Sequence, residues 1–223
     1  MTASTASVSA PARAVRPLRR WVALGDSFTA GARPDERCWA DELAADLRRA
    51  APGMDFVNLA SAGARTTDVA RDQLDRAIAL RPELVTLTCG ANDVLLSVRP
   101  QLAVVGARYG VILARLRAML PGALIVTSTY ADVTRFYPLR PRSRERIGTG
   151  MRQLNERIRT VSACFGAACV EFAGHPEEGA RENFAADGFH PSRAGHAKAA
   201  HAFARALQGE LGIQLRLARG VVP

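Results

Sequence analysis

The stretch Trp21 to Gly31, "WVALGDSFTAG", decides how the rest of the chain is read. Its four leading apolar residues make a short strand-like run, which stops abruptly at Gly25, Asp26 and Ser27. Most Gly-Asp-Ser tripeptides are a polar turn after a buried strand. The sharper reading makes Ser27 a nucleophile presented at a strand's C-terminal end. What the other strands deliver beside Ser27 separates the two.

Outward from this stretch, strand-like and helix-like segments alternate. Further strands are expected at Phe56 to Leu59, Glu83 to Gly90, Ala123 to Thr129 and Cys169 to Phe172. Between them, Trp39, Leu43 and Leu47 recur at helical spacing. Val69, Leu74, Ala77 and Ile78 mark a second helix, with Thr66 or Thr67 as its N-cap. Residues 101 to 120 form a third, with Ile112, Leu116 and Met119 on one face. Residues 143 to 165 form a fourth, with a break or late start near Gly148 and Gly150. Pro191 suits the first turn of a last helix running to Leu207. Five β-α alternations imply an α/β fold with a parallel sheet and helices on both faces. No repeat or long linker divides the chain. One domain is expected over 19–210, between an N-terminal tail (1–18) and a C-terminal tail (211–223).

Composition narrows the function classes. A chain of 223 residues with 48% hydrophobic and 23% charged residues can bury one full core. No apolar run approaches the ~18 residues of a membrane span. The first eighteen residues, rich in Ala, Ser, Thr, Pro and Arg, lack the apolar core of a signal peptide, so a flexible tail on a cytoplasmic protein is expected. The net charge of +9 comes almost wholly from arginine, Lys198 being the only lysine. It is spread through helix-like segments without a nucleic-acid motif, so no nucleic-acid partner is expected. Cys38, Cys89, Cys164 and Cys169 form no C-x-x-C pair and have no histidine at zinc spacing. They read as free thiols, with Cys89 a small buried hydrophobe. No metal is expected.

In open parallel sheets, sites form beyond the carboxyl ends of the strands. There the chain places Gly25-Asp26-Ser27, then "NLASAGA" with Gly63, then "GANDVL" with Asn92, and finally "DGFHPSRAGH" with Asp187 and His190. A serine hydroxyl needs a base, and His190 is the candidate. Asp187, three residues earlier, can reach the imidazole Nδ1 within one turn. An oxyanion needs donors fixed in advance, which a glycine amide at Gly63 and the Asn92 carboxamide supply. Taken singly, each of these residues is also an ordinary loop residue; four in order, each behind its own strand, form a constellation. Asp26 is expected to bond amides of its own loop, and His196 and His201 to be surface or packing residues. His175, beside Pro176, has no evident partner in the sequence.

These four blocks, "GDSFTAG", "NLASAGA", "GANDVL" and "DGFHPS", resemble those of the GDSL, or SGNH, hydrolases across residues 20 to 208, with "GDSF" in place of the common "GDSL". The resemblance implies Ser27 as nucleophile, His190 as base and Asp187 as its partner. It implies an oxyanion hole of Ser27 N–H, Gly63 N–H and the Asn92 side chain. It also implies a flavodoxin-like three-layer α/β/α fold with five parallel strands ordered 2-1-3-4-5. A cofactor-free serine hydrolase of carboxylic esters is the expected function, with a small-molecule acyl ester as substrate. An acyltransferase or a thioesterase would use the same site, and a non-catalytic binding module would be expected to lack it. The spacing of G-x-S-x-G, the α/β-hydrolase elbow, is absent around Ser27. Arg65 follows Gly63-Ala64, and "RFYPLRPRSRER" (Arg135 to Arg146) carries five arginines after strand four. Arg65, Arg140 and Arg142 are therefore candidates for holding an anionic part of the substrate, the latter two on an extended loop over the cleft.

Overall fold

The computed structural model describes residues 17–32, 37–174 and 180–211. Almost all of both expected tails, and His175, lie outside these residues.

Five strands, β1 (Arg20–Gly25), β2 (Asp55–Asn58), β3 (Leu84–Thr88), β4 (Leu124–Ser128) and β5 (Ala168–Val170), form one sheet. All pairings are parallel and the order is β2-β1-β3-β4-β5, as the resemblance implied. The helices are α1 (Ser27–Ala30), α2 (Trp39–Ala50), α3 (Thr66–Asp68), α4 (Leu74–Ala79), α5 (Ala91–Leu95), α6 (Leu102–Met119), α7 (Pro141–Cys164) and α8 (Arg193–Leu211). A π-helical turn, Val69–Gln73, joins α3 to α4.

Strand alternation sorts the core into two layers. Trp21 and Ala23 of β1, Leu84 of β3 and Leu124 and Val126 of β4 pack with α2 and α8. Val22 and Leu24, Val85 and Leu87, and Ile125 face the other way, toward α4, α6 and α7. The first layer is aromatic: Trp39 stacks on Phe203 with centroids 3.8 Å apart, and Trp21 packs on Phe56 at 4.3 Å. Leu18 is also buried in this layer.

Several boundaries differ from the sequence reading. The α7 helix runs unbroken through Gly148 and Gly150, because Gly150 serves packing rather than a bend. A Cβ there would lie 2.7 Å from Val94 Cγ1. It also begins at Pro141, the first helical position, where a proline's missing N–H costs nothing. Arg142 thus lies on a helix, not an extended loop. Pro191 is outside α8 and bridges Phe184; Ser192 takes the cap, its Oγ accepting from Gly195 N–H at 3.2 Å and its carbonyl from His196 N–H at 2.9 Å. Neither Thr66 nor Thr67 caps the second helix. Thr66 opens α3, and its N–H donates to Asp93 Oδ2 (2.8 Å), a carboxylate from beyond β3. The fifth strand ends at Val170 because the Phe172 and Ala173 amides donate to Thr129 Oγ1 instead, at 2.8 and 3.0 Å.

The π turn has a consequence for β1. Buried Gln73, at its end, accepts from Gly25 N–H (2.8 Å) and donates to Gly25 O (2.9 Å). One carboxamide thus pairs with the last residue of β1 as a neighbouring strand would. Replacing it by leucine leaves the Gly25 N–H buried and unpaired, while Gly25 O keeps the Ser61 N–H at 3.1 Å. Gln73→Leu is expected to cost about 1–3 kcal/mol, read as a lower urea midpoint at unchanged m.

Candidate active site

Ser27 is the first residue of α1, separated from the end of β1 only by the N-cap Asp26. Gly25 makes this geometry possible. With φ of 151°, it lies so close to β3 that a Cβ would sit 2.2 Å from Thr88 O. Asp26 N–H donates to that same carbonyl at 3.1 Å, and the Thr29 and Thr88 hydroxyls meet at 2.5 Å. The serine loop is thereby fastened to the neighbouring strand on both sides of Ser27.

The His190 loop is set by two glycines. Gly188 (φ +70°) packs where a Cβ would meet Phe136 O at 2.3 Å, and Gly195 where one would meet Asn183 O at 2.1 Å. Within this loop Asp187 Oδ1 accepts from the Phe189 and His190 amides at 2.8 and 3.0 Å, and Oδ2 lies 2.8 Å from His190 Nδ1. Burial pushes the Asp187 carboxyl up, but these hydrogen bonds outweigh it and hold the group below its ordinary value. An ionised carboxylate only accepts, so the tautomer that this contact selects for a neutral imidazole has its proton on Nδ1 and its lone pair on Nε2.

Ser27, Asn92 and His190 line one cavity of about 90 Å³ at the C-terminal edge of the sheet. Asn92 is buried and donates one N–H to Ala64 O at 3.1 Å; its second N–H is a separate donor on the same nitrogen. Gly63 precedes Ala64 in a turn closed by Ala64 N–H to Ser61 O (3.2 Å), and its φ of +78° is the left-handed value glycine adopts there. The Asn92 contact therefore joins the Gly63 turn to α5. Gly63 itself is not among the cavity's lining residues, and neither are Arg65, Arg140 and Arg142. Arg65 is exposed and donates to Leu96 O at 3.3 Å. Arg140 is the N-cap of α7, and Arg142, one residue inside that helix, is exposed.

Asp26 bonds its own loop as expected, accepting from Phe28 N–H at 3.0 Å. The partner that the sequence reading missed is Tyr130, whose hydroxyl donates to Asp26 Oδ2 at 3.1 Å from the end of β4. Its one signal in the sequence is its place directly after the fourth expected strand, Ala123 to Thr129. Asn155 in turn pins Tyr130, accepting from its N–H and donating to its carbonyl, both at 2.9 Å. His196 is a buried packing residue whose Nδ1 accepts from Trp39 N–H at 3.2 Å. The cysteines are free: Cys38 and Cys89 are buried, Cys164 is exposed and Cys169 is partly buried. Among the described residues no cluster of His, Cys, Asp and Glu could hold a metal ion. No helix among them is long and apolar enough to cross a membrane.

The model of the GDSL-like lipase/acylhydrolase family matches residues 23–198. The chain belongs to this family. As a member of the GDSL-like family it is a carboxylic ester hydrolase. Its fold is similar to that of a GDSL-like lipase from Parabacteroides merdae (TM-score 0.74, 16% identity, covering 86% of this chain and 97% of that one). It is also similar to a lipase/acylhydrolase from Enterococcus faecalis (TM-score 0.70, 21% identity, 90% and 100% covered). An acetylxylan esterase from Geobacillus stearothermophilus gives a TM-score of 0.68 at 18% identity, with 92% and 99% covered. No curated protein is similar enough in sequence to count as a relative.

Asp26 carries a pH signature. Burial raises its carboxyl from 3.8 to about 6, against the lowering effect of the Phe28 and Tyr130 hydrogen bonds and of nearby His190. A raised carboxyl binds its proton more tightly in the folded than in the unfolded chain. Its stability contribution is therefore present below pH 3.8 and lost as pH rises through about 6. The shift corresponds to about 3 kcal/mol. Asp26→Asn should flatten the fall in unfolding free energy between these pH values, measured by denaturant titrations across the range.

Proposed function

We propose that the chain hydrolyses small-molecule carboxylic esters through an acyl-enzyme on Ser27, with His190 as general base and Asp187 as its orienting partner. The observation that carries this reading is the 2.8 Å contact of His190 Nδ1 with Asp187 on the wall of the cavity that Ser27 also lines. Ser27 Oγ attacks the ester carbonyl carbon as His190 Nε2 takes its proton. The carbonyl electrons move to oxygen, where the Ser27 amide and the Asn92 carboxamide on the cavity wall, with the Gly63 amide from the turn that Asn92 holds through Ala64 O, receive the charge. The tetrahedral intermediate collapses, the C–O bond breaks, and the alcohol leaves with the proton from Nε2. Water, deprotonated by the same nitrogen, then attacks the acyl-serine and returns the carboxylic acid and free Ser27.

The comparison with the acetylxylan esterase supports this assignment. Its catalytic mutants are alanine substitutions of a serine, a histidine and an aspartate three residues before that histidine. The spacing of Asp187 and His190 is the same. An anionic substrate group would meet Arg65, Arg140 and Arg142 only on the part of the molecule that stays outside the cavity.

Ser27→Ala is expected to keep the fold and abolish ester hydrolysis, and a fluorophosphonate should label Ser27 alone in the wild type. Label on another residue, or activity persisting in the variant, overturns the assignment. Asn92→Ala should lower kcat by roughly 10²–10³ with little change in KM, because its donor acts on charge that develops in the transition state. A change confined to KM would place Asn92 in ground-state binding instead.

A further inference from the structure

We infer that the cavity beside Ser27 is an acyl pocket for short, uncharged chains, closed at its inner end by Phe172 and Ala199. The inference rests on Ser27 being the nucleophile.

The cavity has a wet end and a dry end. Ser27 and His190 are partly exposed, whereas Phe172, Ala199, Thr129 and Asp26 on the same lining are buried. Of these four only Phe172, at the end of the sheet, and Ala199, on α8, offer a purely apolar side chain to an acyl chain directed inward from Ser27. The dry end is backed by solid core. Phe203 lies behind Phe172 at 5.9 Å, and Trp39 stacks on Phe203. Core packed at this density does not yield to a longer chain without displacing side chains. The available space is about 90 Å³, less than the ~150 Å³ of a cavity that holds benzene, so it suits a short chain.

Chemistry restricts the chain as much as volume does. The hydroxyls at the dry end are already engaged: Thr129 Oγ1 accepts the Phe172 and Ala173 amides, and Tyr130 donates to Asp26. Apart from Asp26 and His190, the lining holds no ionisable group except the phenol of Tyr130. An acyl chain ending in a carboxylate would find no cation, would lose its water, and would face Asp26 as a like charge. Removing a charge from water without a partner is strongly disfavoured. The pocket thus discriminates on two independent properties, length and charge.

The test is a series of p-nitrophenyl esters from acetate to octanoate, with the hemisuccinate as a charged chain of butyrate length. Wild-type kcat/KM should be highest between acetate and butyrate and fall by about tenfold or more toward octanoate. The hemisuccinate should fall at least ~100-fold below butyrate. Ala199→Val should lower butyrate relative to acetate, and Phe172→Ala should raise octanoate relative to butyrate. A profile that stays flat or climbs to octanoate, or a hemisuccinate cleaved as well as butyrate, overturns the pocket. The wild-type series decides this whether or not either variant folds. Activity that survives Ser27→Ala overturns the nucleophile instead, so the two failures are told apart.

Discussion

The site depends on the approach of Gly25 to Thr88. Parallel strands normally leave room for a side chain at each position, but here the end of β1 sits where a Cβ would overlap the Thr88 carbonyl. That closeness lets Asp26 N–H bond Thr88 O and lets Thr29 bond the Thr88 hydroxyl. Ser27 lies between those two anchors. Its position is therefore set by backbone and buried hydroxyls of the sheet, not by a surface loop. In the proposed mechanism a hydroxyl held this way loses little freedom on meeting a carbonyl carbon.

A second device recurs around the sheet's C-terminal edge. Strand ends leave backbone donors and acceptors without a ladder partner, and buried ones need a substitute. Gln73 supplies it for Gly25 and Asn155 for Tyr130, each carboxamide giving one donor and one acceptor. Asp93 does the same for the start of α3, bonding both the amide and hydroxyl of Thr66. These three residues come from helices packed beside the sheet, so helix packing and site geometry are coupled. The π turn at Val69–Gln73 belongs to this scheme, since its wider winding changes the angle at which Gln73 projects.

The legible part of the fold was its alternation. Strand-like runs of four to eight residues and helical spacing at Trp39, Leu43 and Leu47 reported buried strands and one-sided helices, because burial writes periodicity directly. The blocks at Gly25, Gly63, Asn92 and Asp187 were legible because each follows a strand. What stayed hidden was long-range. Nothing near Gln73 or Asn155 in sequence signals that each meets a backbone 48 or 25 residues away. Gly148 and Gly150 looked like breakers because glycine's local cost is visible and its packing benefit against Val94 is not. The extended loop expected for Arg140 and Arg142 gives way to a helix because Pro141 sits at a first helical position, which proline favours.

The arginines show the same contrast between local appearance and long-range use. A net charge of +9 suggests a polyanion partner, yet many guanidinium groups are committed to the chain's own carbonyls. Arg117 donates to Phe165 O, Ala123 O and Gly166 O at 3.1, 2.9 and 3.0 Å, tying the end of α7 to the turn before β4. Arg181 donates to Phe184 O and Ala185 O, holding the approach to the His190 loop. Arg20 bridges Leu80 O and Asp55. A planar fork with five donors can serve several fixed acceptors at once, which a single ammonium does less well. At these positions the positive charge accompanies a demand for donors at loop ends. The cavity itself is lined by several aromatic side chains and by no arginine, so the positive charge can influence the approach of a substrate without entering the cavity.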